Sequence, residues 1–222
     1  MNIDPALLAR TYRDPVALAF LITDLLPVIS VLLFGWGAIP LVFLYWLENV
    51  VIGVVTIARM LAVGALNKDE SLPGAAGMSV FFTVHYGMFC FVHGVFLVMF
   101  AAMSVGDMDG GHVGSPASVL GFAIGVTETM GLFIALIFGV NALAFINDYI
   151  VGREAGDSTV QAEMMSPYGR IVVLHIGIFA GAGALIALGE PMVGVLALIL
   201  LRVIWGVFLS VRRRLRLDVE AA

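Results

Sequence analysis

The apolar segments of this sequence contain polar residues that could do chemistry away from bulk water. If these segments lie in a bilayer, each charged side chain at its centre costs about 2.5–3.5 kcal/mol on insertion scales, so such residues are retained for a partner or a function. Carboxylates and imidazoles can bind divalent metals or carry protons. The candidate residues are Asp24, Glu48, Asn49, His85, His93, Glu128, Asn141, His175 and Arg202.

The composition predicts that the elements positioning these residues are membrane helices. Of 222 residues, 61% are hydrophobic and 12% are charged. A soluble domain of this size could not bury that much apolar surface. We therefore predict a single all-α transmembrane domain over residues 1–222, a polytopic bundle of about six transmembrane helices. The expected spans are 16–34, 39–62, 78–103, 118–151, 169–189 and 191–211. The fourth is too long for one straight crossing.

The basic residues predict the orientation of the bundle. Lys and Arg are confined to one side, whereas the three loops on the other side have acidic residues only, so the positive-inside rule places both termini in the cytoplasm. The expected location is the cytoplasmic (inner) membrane, with the lipid bilayer as partner. No nucleic-acid motif is present, and homo-oligomerisation and the substrate are left open. The basic residues flanking the spans are Arg10, Arg13, Arg59, Lys68, Arg153, Arg170, Arg212, Arg213, Arg214 and Arg216.

The depths of the polar residues predict two layers. With a rise of about 1.5 Å per residue, an outer group of five residues lies roughly 15 Å from the outer helix ends. His85 and His175 lie roughly 10 Å from the cytoplasmic face. We therefore expect His93 to share a cation with Glu48, and His85 to approach His175. His85 and His93 lie about 12 Å apart along one helix, too far to hold one ion together. The outer group comprises Asp24, Glu48, His93, Glu128 and Arg202.

Charge balance favours a divalent metal in this interior. Three ionised carboxylates and one arginine would leave the midplane layer with about −2, which a divalent ion neutralises; without an ion, desolvation favours protonated carboxylates. Histidine and carboxylate together form a typical zinc shell, so zinc is the expected occupant. The predicted ligands are Glu48, His85, His93 and His175, and the supporting residues are Asn49, Asp24, Glu128, Arg170 and Arg202. Alternatively, Asp24 and Arg202 pair with each other.

Three sequence motifs resemble an uncharacterised family of bacterial integral membrane proteins that has only a domain-of-unknown-function label. They are LYWLENVVIG at 44–53, VHYGMFCFVHGVF at 84–96 and PYGRIVVLH at 167–175. The resemblance implies no activity. It marks as the family's polar positions Glu48, Asn49, His85, His93, Arg170 and His175. The family pattern also has a histidine near Asn141, which this sequence lacks.

Four functions are compatible with these residues. A metal could activate water for hydrolysis, although the HExxH motif of zinc proteases is absent. A proton, metal or small solute could be transported, although no repeat or broken helix is visible in the sequence. A b-type haem could bind between His175 and either His85 or His93. Finally, the protein could be a non-catalytic assembly partner, with its histidines serving as interhelical hydrogen-bonding groups.

Overall fold

A computed structural model of the chain describes residues 5–35, 37–105, 114–127, 130–152, 154–188 and 191–220. These residues are helical apart from short connections and include no strand, so the all-α prediction is confirmed for them. A π-helical turn, Ile146–Val151, continues α6, and a 3-10 turn, Glu154–Gly156, follows it. The helices are α1 Pro5–Thr11, α2 Pro15–Phe34, α3 Ala38–Leu66, α4 Leu72–Val105, α5 Pro116–Val126, α6 Gly131–Phe145, α7 Val160–Met165, α8 Tyr168–Leu188 and α9 Pro191–Glu220.

Three helical segments within the described residues are long and apolar enough to cross a membrane. They are Ala38–Leu66, Leu72–Ala102 and Gly131–Val151. Each exceeds the roughly 20 residues that cross about 30 Å of hydrocarbon. The chain therefore has the helices of a membrane protein, whereas six spans and cytoplasmic termini remain predictions.

The fourth predicted span, 118–151, is broken in the structure. Its first part forms α5, which has 11 residues and ends at Val126, and α6 begins only at Gly131. Thr127 between them is fully buried, and its hydroxyl donates to the carbonyl oxygen of Ala123 at 2.7 Å. A short helix followed by one long enough to cross a membrane fits a run that is too long for one crossing. Hydropathy gives little sign of the break, because both flanking helices are apolar.

Helix α3 lies at the centre of the packing. Its N-terminal part packs Leu41 and Tyr45 against α6 residues, and Phe43 and Trp46 against α4 and α5 residues. Its other end packs Met60 among residues of α4, α8 and the segment between α6 and α8. Because α3 is covered on most sides, its polar residues face protein and not lipid.

Helices α3 and α4 approach closely at glycines. A Cβ atom on Gly94 would overlap the Val119 side chain and lie 2.9 Å from the Trp46 ring, whereas a Cβ on Gly87, two turns earlier on α4, would meet nothing within 4 Å. Trp46 is further fixed because its Nε1 donates to the Cys90 carbonyl oxygen at 2.7 Å. The α3–α4 contact therefore depends on Gly94 and not on Gly87.

Gly94→Ala is expected to destabilise the protein by about 1–3 kcal/mol, the usual cost of overpacking a filled interior. Gly87→Ala is the matched control and is expected to be neutral or slightly stabilising, because alanine is the better helix former. Unfolding in detergent, followed by circular dichroism, measures both. Equal stability of the two variants would contradict the close approach at Gly94.

The connection between α6 and α8 is held to the rest of the chain by polar contacts. Asn67 Nδ2 donates to the Ser158 carbonyl oxygen at 2.8 Å, and Arg213 of α9 donates to Asp148 at 2.7 Å and to Glu154 at 3.3 Å. Burial and the nearby charge of Asp148 raise the pKa of Glu154 above its ordinary value of 4.5, against the opposing effect of Arg213. This network places the start of α8, and with it the motif at 167–175.

Glu154→Gln is expected to raise the melting temperature slightly at neutral pH. At low pH the carboxyl is protonated in both the folded and the unfolded protein, and it then has no effect on the free energy of unfolding. As pH rises through the raised pKa, the group ionises in the folded protein, where its charge is less favourable than in the unfolded chain. The free energy of unfolding therefore falls with pH. The effect is small because the Glu154 side chain is 46% exposed. Melting curves should therefore separate wild type from variant near neutral pH and converge below about pH 4. The opposite pH dependence would contradict this assignment.

Candidate functional site

Three polar contacts join the first two turns of α8 to α3 and α4. His85 Nδ1 lies 2.8 Å from the Tyr168 hydroxyl, Arg170 donates to Glu48 Oε1 at 2.6 Å, and His93 Nε2 lies 2.8 Å from His175 Nε2. We call these six residues the polar seam. Its contacts are spread over seven residues of α8, or about 10 Å along the helix axis. The two histidine contacts occur in the same order along α4 and α8, so these helices run parallel.

The histidine pair brings ring nitrogens from α4 and α8 into direct contact. The rings of His93 and His175 are nearly perpendicular, at 88°, with centroids 4.0 Å apart. His175 Nδ1 lies 2.8 Å from the Ile171 carbonyl oxygen. Because a carbonyl only accepts, Nδ1 carries the hydrogen, and the Nε2 lone pair of His175 points at His93.

The position of the hydrogen on His93 decides what joins the two rings. With that hydrogen on Nε2, His93 donates to His175 in an N–H···N hydrogen bond. With it on Nδ1, two Nε2 lone pairs face each other at 2.8 Å. Such a pair requires a positive charge between the nitrogens. A proton or a metal ion can supply it.

The Glu48 carboxylate has Arg170 as a counter-ion. Glu48 is 3% exposed and Arg170 is 25% exposed, so the arginine extends inwards from a more open position to a buried carboxylate. A short, charge-assisted hydrogen bond of this kind is among the stronger contacts in proteins. Glu48 therefore needs no metal to balance its charge, and this removes one reason for the predicted four-ligand site.

The third contact closes the seam where α8 begins. Tyr168 can donate its hydroxyl hydrogen to His85, and the His85 ring is stacked on Phe81 and packed edge-on against Phe89. Phe89 also packs against the rings of His93 and His175. The two histidine levels are thus joined through one aromatic side chain.

Five of the six positions marked by the family resemblance belong to the polar seam, and they pair differently from our expectation. We expected His93 with Glu48 and His85 with His175; instead His93 contacts His175, Glu48 pairs with Arg170, and His85 bonds Tyr168. The depth estimate was wrong because α4 and α8 do not start at one level: Tyr168, the first residue of α8, contacts His85, which lies 13 residues after the first residue of α4. No group of three histidine, cysteine or acidic side chains suitable for a metal occurs among the described residues.

The supporting residues lie at several places. Asn49 is buried next to Glu48, and its amide nitrogen donates to the Tyr45 carbonyl oxygen at 2.8 Å. Asp24 is buried on α2 beside α9, where a Cβ atom on Gly206 would overlap its carboxylate. Gly206 lies one turn beyond Arg202 on α9, and the Asp24–Arg202 pair stays a prediction. The side chain of Arg202 and all of Glu128 lie outside the described part of the chain.

Two contributors were absent from the sequence-based prediction. Tyr168 was missed as a partner of His85, although it stands in the motif PYGRIVVLH two residues before Arg170. Tyr86 was missed as well; its hydroxyl donates to the Asn49 carbonyl oxygen at 3.1 Å. A tyrosine within a motif containing arginine and histidine was the available signal for the first. No signal in the sequence indicated the second.

Comparison with known proteins identifies a family and no function. The sequence model of a family of unknown function (DUF6498) matches residues 6–222. Because the match covers almost the whole chain, the protein belongs to this family. No curated protein and no solved structure matches the chain.

Proposed function

We propose that this DUF6498 member is an integral membrane protein that binds one divalent transition-metal ion, with zinc as the expected occupant, between His93 and His175. The observation that carries the proposal is the direct Nε2–Nε2 contact of two histidines from different helices. It reduces the four ligands expected from the sequence to two. Glu48 and His85 are then not ligands, because their contacts are with Arg170 and Tyr168.

The surroundings of the pair resemble the second shell of a metal site. Metal-bound histidines usually donate their other ring nitrogen to a carboxylate, a backbone carbonyl or water, which fixes the ring and makes it more basic. His175 makes this contact with Ile171. The His175 ring is thus oriented for ligation before a metal arrives.

The spacing of the pair requires only a small adjustment. Two nitrogens bound tetrahedrally at about 2.0–2.1 Å from zinc are about 3.3 Å apart, compared with 2.8 Å here. Opening the pair by about half an ångström therefore accommodates the ion. With two protein ligands, the remaining positions are available to water or substrate.

The chemistry that such an ion supplies is activation of water or polarisation of a carbonyl oxygen. The protein would then act as a metal-dependent hydrolase within the membrane. Phe89 packs against both rings and His93 is 5% exposed, which limits the access of water to the pair.

Elemental analysis of protein purified without a metal-affinity tag tests the proposal. We expect about one equivalent of a transition metal in wild type and loss of this metal in His93→Gln. His112→Ala is the matched control, because it removes a histidine outside the site and should leave the metal content unchanged. Metal-free wild-type protein that also fails to bind added zinc would overturn the proposal.

The same pair supports a second candidate function, proton transfer. A single proton between the two Nε2 atoms also satisfies both lone pairs. His85 and Tyr168 form a second polar contact at the start of α8, and Phe89 packs against both levels. Intramembrane histidines mark proton relays in pumps and transporters. Proton flux into liposomes that is unchanged by His93→Gln would exclude it. The b-type haem alternative has no support among the described contacts.

A further inference from the structure

Two buried asparagines, one on α3 and one on α6, lie outside the polar seam. Asn49 and Asn141 are each 6% exposed. Their amide nitrogens donate to carbonyl oxygens one turn earlier on their own helices, Asn49 to Tyr45 and Asn141 to Ile137, both at 2.8 Å. These bonds fix both amide groups, because reversing either would place two acceptor oxygens against each other. Each Oδ1 therefore points away from its own carbonyl partner.

The register of α3 against α6 indicates how far apart the two amides lie along the helix axes. Tyr45 and Ile137 belong to the same core cluster, and further along, the Arg59 guanidinium lies 5.2 Å from the ring centre of Tyr149, in the turn that continues α6. The helices therefore run parallel with an offset of about 90 residues. On this register Asn49 and Asn141 differ by two residues, or about 3 Å along the helix axis.

The Oδ1 of Asn49 is buried and has no hydrogen-bond partner among the described residues. An acceptor left in this state within a protein interior is unfavourable, so an occupant that brings a donor or a positive charge is expected. Two side-chain carbonyl oxygens are hard ligands, which suit cations that prefer oxygen. The occupant must be small, because the surrounding core is filled.

We infer that Asn49 and Asn141 form part of a binding site for sodium, a small hard monovalent cation. A divalent ion is disfavoured because the two amide oxygens are neutral and the adjacent Glu48 carboxylate is already paired with Arg170. Backbone oxygens or water complete the shell. This site is separate from the His93–His175 pair in both its ligands and its chemistry.

Thermal unfolding of the purified full-length protein in sodium chloride, against N-methyl-D-glucamine chloride at equal ionic strength, tests this inference. At a sodium concentration about ten times the Kd, the melting temperature should rise by about 3–6 °C. Asn49→Leu and Asn141→Leu should each abolish this shift, whereas Asn49→Asp, which keeps an oxygen ligand, should preserve it. His93→Gln should also preserve it, so failure of the metal proposal leaves this test intact.

Two outcomes would overturn the inference. Equal melting temperatures in the two salts would show that the site holds water only. A sodium shift that persists in both leucine variants would place the ion elsewhere. If Asn49→Leu does not fold, the other two variants still decide the question. Asn141→Leu should abolish the sodium shift, and Asn49→Asp should preserve it.

Discussion

Arg170→Met is expected to destabilise the protein by about 3 kcal/mol, the lower end of the range of about 3–5 kcal/mol for removing one partner of a buried ion pair. The loss arises because Glu48 is 3% exposed and would lose the cation that lies 2.6 Å from its carboxylate. We place the effect at the lower end because Arg170 itself is 25% exposed. Unfolding of purified protein in a fixed detergent measures it.

The two partners of this pair should not be equivalent. Glu48→Leu removes the buried charge and leaves an arginine that can reach a more open position, so its effect should be smaller than that of Arg170→Met. The double variant should recover most of the loss, since apolar replacement of a whole buried pair is often neutral. Arg13→Gln is the control, because Arg13 is exposed. Equal losses in the two single variants would show that the carboxylate is not the more deeply buried partner.

His93→Gln and His175→Gln are each expected to weaken zinc binding by at least 100-fold. Each variant removes one of only two protein ligands, and even the loss of an outer-shell partner typically lowers metal affinity 10–100-fold. The double variant should be no weaker than either single variant, because one remaining ligand already fails to hold the ion. Zinc titration against a competing chelator gives the affinities.

The same titration separates the two-ligand site from the four-ligand site expected from the sequence. His85→Gln and Glu48→Gln should bind zinc within a few-fold of wild type, because their partners in the structure are Tyr168 and Arg170. A loss in His85→Gln as large as that in His93→Gln would restore the four-ligand site. Unchanged zinc affinity in both His93→Gln and His175→Gln would contradict metal binding between these residues.

Much of the helical framework followed from the sequence because hydropathy reports which residues avoid water. Observed α3 extends the predicted span 39–62 by a few residues at its end, and α8 starts within one residue of its prediction. The run 118–151 is the exception, since α5 ends at Val126, before Thr127, although apolar residues precede and follow this point. Composition reports solubility in lipid, and it carries little information about a change of backbone direction inside an apolar run.

Polarity inside apolar runs likewise identified most residues of the candidate site. Glu48, His85, His93, Arg170 and His175 all belong to the seam, because a polar group among apolar neighbours is retained only where it has a partner. The sequence could not determine which partner each residue takes. Pairing depends on helix ends, rotation and tilt, and an error of one turn moves a side chain by about 5 Å.

The sequence by itself determined the class of the protein and the residue types that its interior must accommodate, since both follow from local solubility. The tertiary structure alone decided that His93 faces His175, that Arg170 neutralises Glu48 and that His85 contacts Tyr168. These contacts join residues far apart in the chain across separate helices. Their geometry is set by the packing of α3, α4, α6 and α8, and the spacing of residues along one helix does not encode it.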